Sequence, residues 1–235
     1  MTGCASRLPY CSAFEKKFGV GGANGIRRED CTDELKSHKM GRSAFPSRIV
    51  SMKISGPTNS PSISLVAPRP MHAKLWFAWR NEAQARRNMP IEPWSINALK
   101  KRLDAAKPDL SAPDQQEHRW IVQVDAESAG IVSILRPVVR HGYAEISYHL
   151  AEAYQGRGIG TAAVARLIDL VFDQTEYRRL FALISVRNQP SRCLAEKLGF
   201  VHEGTLRGHF VIGGKPVDQC VYGLLRKEWK PTASR

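Results

Sequence analysis

The stretch Tyr143–Phe172, YAEISYHL AEAYQGRGIG TAAVARLIDLVF, reads as strand, loop and helix in that order. In its first part Tyr143, Glu145, Ser147 and His149 alternate with Ala144, Ile146, Tyr148 and Leu150. The two sets fall on opposite faces of a strand. Gly156, Gly158 and Gly160 crowd the loop, and then Val164, Leu167, Ile168, Val171 and Phe172 recur at helical spacing. A glycine-rich turn opening a helix is an anion site. Glycine admits a close backbone approach, the first-turn N–H groups lack intrahelical partners, and the helix dipole favours negative charge.

The loop itself, Gln155-Gly156-Arg157-Gly158-Ile159-Gly160, narrows the anion. No Gly-Lys-Ser/Thr follows, so it is not a P-loop. Its third glycine comes one residue too early for a dinucleotide fingerprint, and no acidic residue stands in the ribose position. The loop resembles the Q/R-x-x-G-x-G/A pyrophosphate loop of the GNAT superfamily of N-acetyltransferases, which hold acetyl-CoA there. The strand with an acidic residue before it and the amphipathic helix after it carry the likeness further than a bare G-x-G would.

Composition is compatible with that family. Of 235 residues 43% are apolar, enough for a sizeable core, and the length suits one domain plus an extension. The net charge of +13 suits nucleic acid and equally a polyanionic cofactor such as CoA. There is no RNA-binding aromatic signature and no unbroken basic stripe, so no specific nucleic-acid partner is expected. No apolar run approaches the ~18 residues a membrane span needs, and the start lacks a secretory apolar core. Cys4, Cys11, Cys31, Cys193 and Cys220 form no C-x-x-C pair and read as free thiols in a reducing cytoplasm. No metal site is expected.

Residues 1–60 show neither a period of 2 nor of 3.6 and are expected to be a disordered basic extension. A targeting segment, or a natural start at Met52, are the other readings. Ile63–Val66 predicts a first strand. Leu75, Trp76 and Trp79 predict a helix that Pro90 stops, and Ser95 predicts the N-cap of a second, with Ile96, Leu99 and Leu103 inward. Trp120–Val124 and Gly130–Leu135 read as strands joined near Glu127-Ser128. Leu180–Val186 is the strand after the central helix. Asn188 opens a further helix with Cys193 on its buried side, closing at Gly199. Gly213-Gly214 marks a hairpin before the last strand, Val217–Leu225.

That order of elements is the GNAT order over residues 61–229, with 230–235 a short tail. The expected fold is mixed α/β: a central, mostly antiparallel sheet that splays at the fourth strand and is flanked by helices. A second motif, Asn188 to Phe200, is similar to the family's N-x-x-S/A … E-K-x-G-F segment. The ending EGTLRGHFVIGGKPVDQCVYGLLRKEW resembles the Rim-type branch of ribosomal-protein N-terminal acetyltransferases. Amino-sugar nucleotide acetyltransferases share that likeness, and the Trp79-Arg80-Asn81 helix and the Ile91–Leu99 stretch resemble them more than the Rim type.

The resemblance implies roles. Backbone from Gln155, Gly156, Arg157, Gly158, Ile159, Gly160 and Thr161 would hold the pyrophosphate. Leu150 and Ala151 would pair with the pantetheine arm, and an N–H near Leu150 would serve the oxyanion. Asn188 and Ser191 would contact the pantetheine region. Glu145 matches the strand glutamate that some members use as base, with Ser147 and His149 in line as a relay. A weak base suits an α-amine, which costs about 1.4 kcal/mol to deprotonate at pH 7, better than a lysine at about 4.6 kcal/mol. Many members carry a tyrosine acid on the second-motif helix; this chain has Ala195 there. Trp79, Arg80, Trp94 and Tyr222 are candidates for the acceptor pocket. The expected activity is acetyl-CoA-dependent transfer to a primary amine by direct attack. A protein N-terminus is the first acceptor and an amino-sugar nucleotide the alternative. A CoA-binding module without turnover is the reading from another class, and a homodimer stays open.

Overall fold

The alternation in Tyr143–Leu150 becomes strand β4, and its two faces meet different layers of the molecule. The structure is a computed structural model and describes residues 61–106, 108–112 and 115–231. The expectations for residues 1–60 lie outside the described residues. In chain order the elements are β1 (Ile63–Val66), α1 (Ala73–Arg80), α2 (Ala83–Asn88), α3 (Ile96–Ala105), β2 (Glu117–Val124) and β3 (Glu127–Val138). Then come β4, α4 (Ile159–Gln174), β5 (Arg179–Ser185), α5 (Gln189–Lys197), β6 (Val201–Ile212) and β7 (Lys215–Leu225).

The sheet order is β1-β2-β3-β4-β5-β7-β6. Every adjacent pair is antiparallel except β4 and β5, which the α4 crossover joins in parallel. This is the mixed, mostly antiparallel sheet expected from the sequence. The parallel pairing covers only Tyr143↔Arg179, Ala144↔Leu180 and Glu145↔Phe181. Beyond Glu145 the two strands continue without pairing, and the sheet splays there.

Ala144 and Ile146 pack with Ile134, Leu180 and the inner face of α4, where Leu167, Ile168 and Val171 are fully buried. At roughly 1.5–3 kcal/mol for each large apolar side chain removed from water, this stripe holds α4 against the sheet. Ile121 and Ile131 point to the other side and meet Trp76, Trp79, Leu99 and Leu103 of α1 and α3. Glu145 and His149 project into this second layer.

Three local readings change. The helix from Leu75 toward Pro90 is two helices, broken at Asn81-Glu82. Asn81 Nδ2 donates to Phe77 O and its Oδ1 accepts from Arg86 Nη2, so the side chain competes with the helical ladder. The strand turn falls at Asp125-Ala126, both with positive φ (49° and 70°), and Glu127 already belongs to β3. An aspartate tolerates that conformation; the alanine is held in it by the flanking ladder. Third, Cys193 is exposed, because Leu194 and Leu198 take the inward positions of α5. Ser95 does cap α3, its Oγ accepting from Ala98 N at 3.2 Å. Gly213 and Gly214 both have positive φ in the β6–β7 hairpin. Among the described residues no helix is long and apolar enough to cross a membrane.

Candidate active site

The splay leaves backbone unpaired on β4. Ala151 N–H donates to Ala129 O at 2.9 Å, which commits the odd-numbered residues there to β3. The peptide groups of Tyr148 and Leu150 therefore turn toward the gap before β5. Gln155 Nε2 donates to the Leu150 carbonyl at 2.8 Å and ties the glycine loop to the strand end.

Within the loop Gly156 and Gly158 have φ of 71° and 76°. A Cβ at either would meet nothing within 4 Å, so conformation, not crowding, calls for glycine. Gly160 is different. A Cβ there would come 3.0 Å from Leu194 Cδ1 and 3.3 Å from Leu150 Cδ1, so the first turn of α4 lies close against both β4 and α5. The first intrahelical bond of α4 is Ala162 N to Gly158 O, 3.1 Å. The N–H groups of Ile159, Gly160 and Thr161 are left without an intrahelical acceptor at the positive end of a 16-residue helix.

A cavity of about 360 Å³ runs from this helix end along the open edge of β4 to α2 and α5. Its wall holds Leu150, Gln155, Gly156, Gly158, Gly160, Thr161, Asn188 and Ser191, all expected from the sequence. Four expected residues lie elsewhere. Ile159 is buried with Val124 and Ala129, Ala151 is buried beside α1 and α3, Arg157 is exposed outside the wall, and Glu145 sits deeper in the sheet. Asn188 caps α5, its Oδ1 accepting from Ser191 N at 3.3 Å. Free N–H groups at one end and an unpaired strand edge along the middle fit a long ligand with an anionic head. The CoA moiety of acetyl-CoA has that form.

Tyr148 was not singled out in the sequence. Alternation places it with the core residues Ala144 and Ile146, yet the splay opens its surroundings and puts it in the cavity wall. Its hydroxyl accepts from Ser191 Oγ at 2.8 Å and donates to Ser191 O at 3.2 Å. Burial pushes its pKa up to about 12, so it stays a donor. A hydroxyl at that position was the one signal available, and a core tyrosine carries the same signal. Met89, Cys193 and Lys197 also line the cavity and were not assigned to it.

Two titratable groups of β4 face the layer of α1 and α3. The Glu145 carboxylate is buried, which raises its pKa, while its ion pair with Arg136 and the nearby His209 act against that rise. The His149 ring is likewise buried. Burial pushes its pKa down to about 4, and a hydrogen bond with the Trp79 backbone opposes this. Its Nε2 lies 3.8 Å from Glu82 Oε2, and His149 borders the cavity.

A second cavity, about 690 Å³, lies between α1, the segment leading into α3, and the β6–β7 hairpin. Arg80, Trp94, Val211 and Gly213 line it, and Met89 lines both cavities. Of the four acceptor-pocket candidates, Arg80 and Trp94 are here. Trp79 is in the core, and Tyr222 is fully buried with its hydroxyl donating to Glu196 Oε1 at 2.7 Å.

Comparison with known proteins agrees with this fold. The model of the acetyltransferase (GNAT) domain matches residues 63–201. The chain belongs to that family, a class of acyltransferases. YdaF of Bacillus subtilis (strain 168), provisionally named a ribosomal N-acetyltransferase, is 34% identical over 106 residues, 45% of this chain and 58% of that protein. The spermidine N(1)-acetyltransferase of Escherichia coli (strain K12) is 30% identical over 117 residues, 48% of this chain and 63% of that one. The chain thus spans less than two thirds of the length of these curated relatives. Among solved structures, spermidine N-acetyltransferase from Vibrio cholerae in complex with CoA and spermine superposes with a TM-score of 0.63 at 23% identity. The match covers 71% of this chain and 96% of that one, and at this identity it shows the fold.

Proposed function

We propose that this chain transfers an acetyl group from acetyl-CoA to a primary amine, and that its acceptor is a protein N-terminal α-amine. The observation that carries the reading is the first cavity, where free α4 N–H groups, the open edge of β4 and the Tyr148 hydroxyl converge. Acetyl-CoA supplies the thioester, and the amine attacks it directly. The Leu150 peptide N–H is aimed at the gap and is placed to steady the developing oxyanion. Glu145 takes the amine proton through water, with Ser147 and His149 along the same face. The Tyr148 hydroxyl keeps the bond it accepts from Ser191 Oγ and turns its single proton from Ser191 O to the departing sulfur. Free thiolate at pH 7 costs about 2 kcal/mol from a thiol pKa near 8.5, so a hydrogen bond suffices where a strong acid is absent.

The weak bases favour an amine that is easily deprotonated, as an α-amine is. An amino-sugar nucleotide meets the same requirement and is the second reading, favoured by Arg80 and Trp94 in the adjoining cavity. The names of several relatives suggest a polyamine. Arg80 and Arg86 in the wall of the second cavity oppose a polycation.

The test is free-thiol release from acetyl-CoA with an α-amino peptide, a nucleotide-linked amino sugar and spermidine. Release with the peptide alone is expected. Release with spermidine alone overturns the acceptor assignment. Silence with a wide amine panel, with acetyl-CoA still bound, leaves a CoA-binding module without turnover.

A further inference from the structure

We propose that the second cavity seats an anionic group carried by the acceptor, a phosphate or a carboxylate gripped by Arg80. The inference rests on the acetyl-transfer reading and narrows its acceptor to amines that bear negative charge.

The charges around Trp76 and Trp94 do not balance. Glu117 is used twice: Oε1 meets Arg102, and Oε2 meets Arg119 Nη2 at 2.7 Å. Arg119 has a second acceptor in Ser133 Oγ at 3.0 Å. Arg80 has no such carboxylate among the described residues. Its Nη2 donates to the backbone oxygen of Glu92 at 3.0 Å. Arg86 Nη2 donates to the neutral Asn81 Oδ1 at 2.7 Å. Glu92 is the one acidic residue in the cavity wall. Four guanidiniums therefore face two carboxylates, with Glu117 already saturated.

Arg80 is also held in place. Its guanidinium carbon lies 4.5 Å from the centre of the Trp94 ring and 5.8 Å from that of Trp76. Arg102 approaches the same Trp94 ring at 4.0 Å, and Arg119 approaches Trp76 at 4.8 Å. A guanidinium has five N–H donors in a planar fork, and stacking uses its face while leaving the edge free. Burial, then Arg102 and Arg119, lower the Arg80 pKa to about 10 against the smaller opposing pull of Glu92, so it is charged at neutral pH and its cationic neighbours outweigh its anionic one. A bound anion relieves that repulsion and takes the free donors bidentately.

The position suits an acceptor. Because Met89 stands in both walls, a molecule with its anion at Arg80 can place its amine toward the first cavity. The carboxylates nearest His149, Glu82 and Glu152, accept from the backbone N–H groups of Glu152 and Gln84 at 3.1 and 2.9 Å. Neither is among the groups that shift the Arg80 pKa.

The experiment compares matched acceptors. One pair is a short α-amino peptide with aspartate as its second residue against the same peptide with asparagine. The other is glucosamine 6-phosphate against glucosamine. For the full chain the anionic member is expected to have a kcat/KM about tenfold higher, the worth of one modest charge pair. The pair that shows the preference identifies carboxylate or phosphate as the source. In Arg80→Gln the ratio within that pair is expected to fall to about one, with Arg80→Lys between. A ratio unchanged in Arg80→Gln, or a wild-type preference for the neutral members, overturns the proposal. A binding titration with inorganic phosphate, followed by tryptophan fluorescence, needs no turnover. Saturable quenching lost in Arg80→Gln supports the anion site even if no amine is acetylated, and equal response in both proteins sinks it.

Discussion

Ser191 Oγ donates to Tyr148 Oη at 2.8 Å, and this pair bridges β4 and α5 across the opening of the sheet. The two strands flanking the gap share no ladder there, so side chains carry the connection. The bridge also fixes a hydroxyl beside the path expected for the thioester.

Tyr148→Phe removes that hydroxyl and keeps the ring. Stability is expected to fall by about 1 kcal/mol, the worth of one hydrogen bond. The rate of thiol release is expected to fall about tenfold with acetyl-CoA affinity nearly unchanged. Single-turnover kinetics beside calorimetric titration separate the two, and an unchanged rate removes Tyr148 from the chemistry.

Glu145→Gln tests the base. Burial raises the Glu145 pKa, so the carboxylate becomes available only above the usual carboxylate range. The acid limb of the kcat/KM profile is expected at that raised value in the wild type and absent in the variant. The expected loss in rate is about 100-fold. The stability sign is opposite to that of an ordinary paired carboxylate. With the folded pKa raised, the contribution is full below the unfolded value and lost as pH rises through the folded one.

His149 acts on stability in a different window. Its folded pKa is pushed down to about 4 from 6.5. The contribution is full above pH 6.5 and is lost as pH falls toward 4, with an upper magnitude of about 3 kcal/mol. In His149→Gln the thermal midpoint should lose this dependence between those pH values. Glu82, whose pKa is raised by burial, contributes with the reverse sign and flattens the wild-type slope in part. Identical slopes in wild type and variant would show that His149 does not titrate in this way.

Gly158→Ala and Gly158→Asp divide conformation from charge. Both force a side chain into φ near 76°, a cost of about 1–2 kcal/mol seen in chemical denaturation. The aspartate adds a negative charge where the pyrophosphate is expected and should weaken acetyl-CoA binding at least about tenfold beyond alanine. Equal affinity for the two variants would place the pyrophosphate elsewhere.

Arg226→Ala tests a brace that no motif announces. From just beyond β7 its guanidinium donates to Phe172 O, Thr175 O and Tyr177 O, closing the C-terminal end of α4. Removing it leaves those carbonyls to water, at an expected cost of about 3 kcal/mol. Denaturant unfolding measures this, and a loss below 1 kcal/mol would make the brace superficial.

Much of this fold was legible because its signals are local. The period-2 alternation of Tyr143–Leu150, the helical stripe from Val164 to Phe172 and the Gly213-Gly214 turn depend on neighbours a few residues away. The break at Asn81 escaped that reading, since Leu75, Trp76 and Trp79 keep their spacing up to the point where a side-chain amide interrupts the ladder. Cys193 was misplaced for a related reason. Helical period defines a stripe, while the exact edge of the stripe depends on what packs against it.

Sequence alone determined the order of the strands, the glycine loop at the start of α4, the cap at Asn188 and the family they imply. These rest on backbone conformation and spacing, which short segments carry with them. Tertiary structure alone decided where β4 and β5 stop pairing, and so which peptide groups and which tyrosine border the cavity. It also decided that Glu145 is paired with Arg136 and that Arg80 is stacked on Trp94 with no carboxylate paired to it among the described residues. Those properties belong to charges and rings brought together from distant parts of the chain. Their energies depend on separation and burial, which no local pattern encodes.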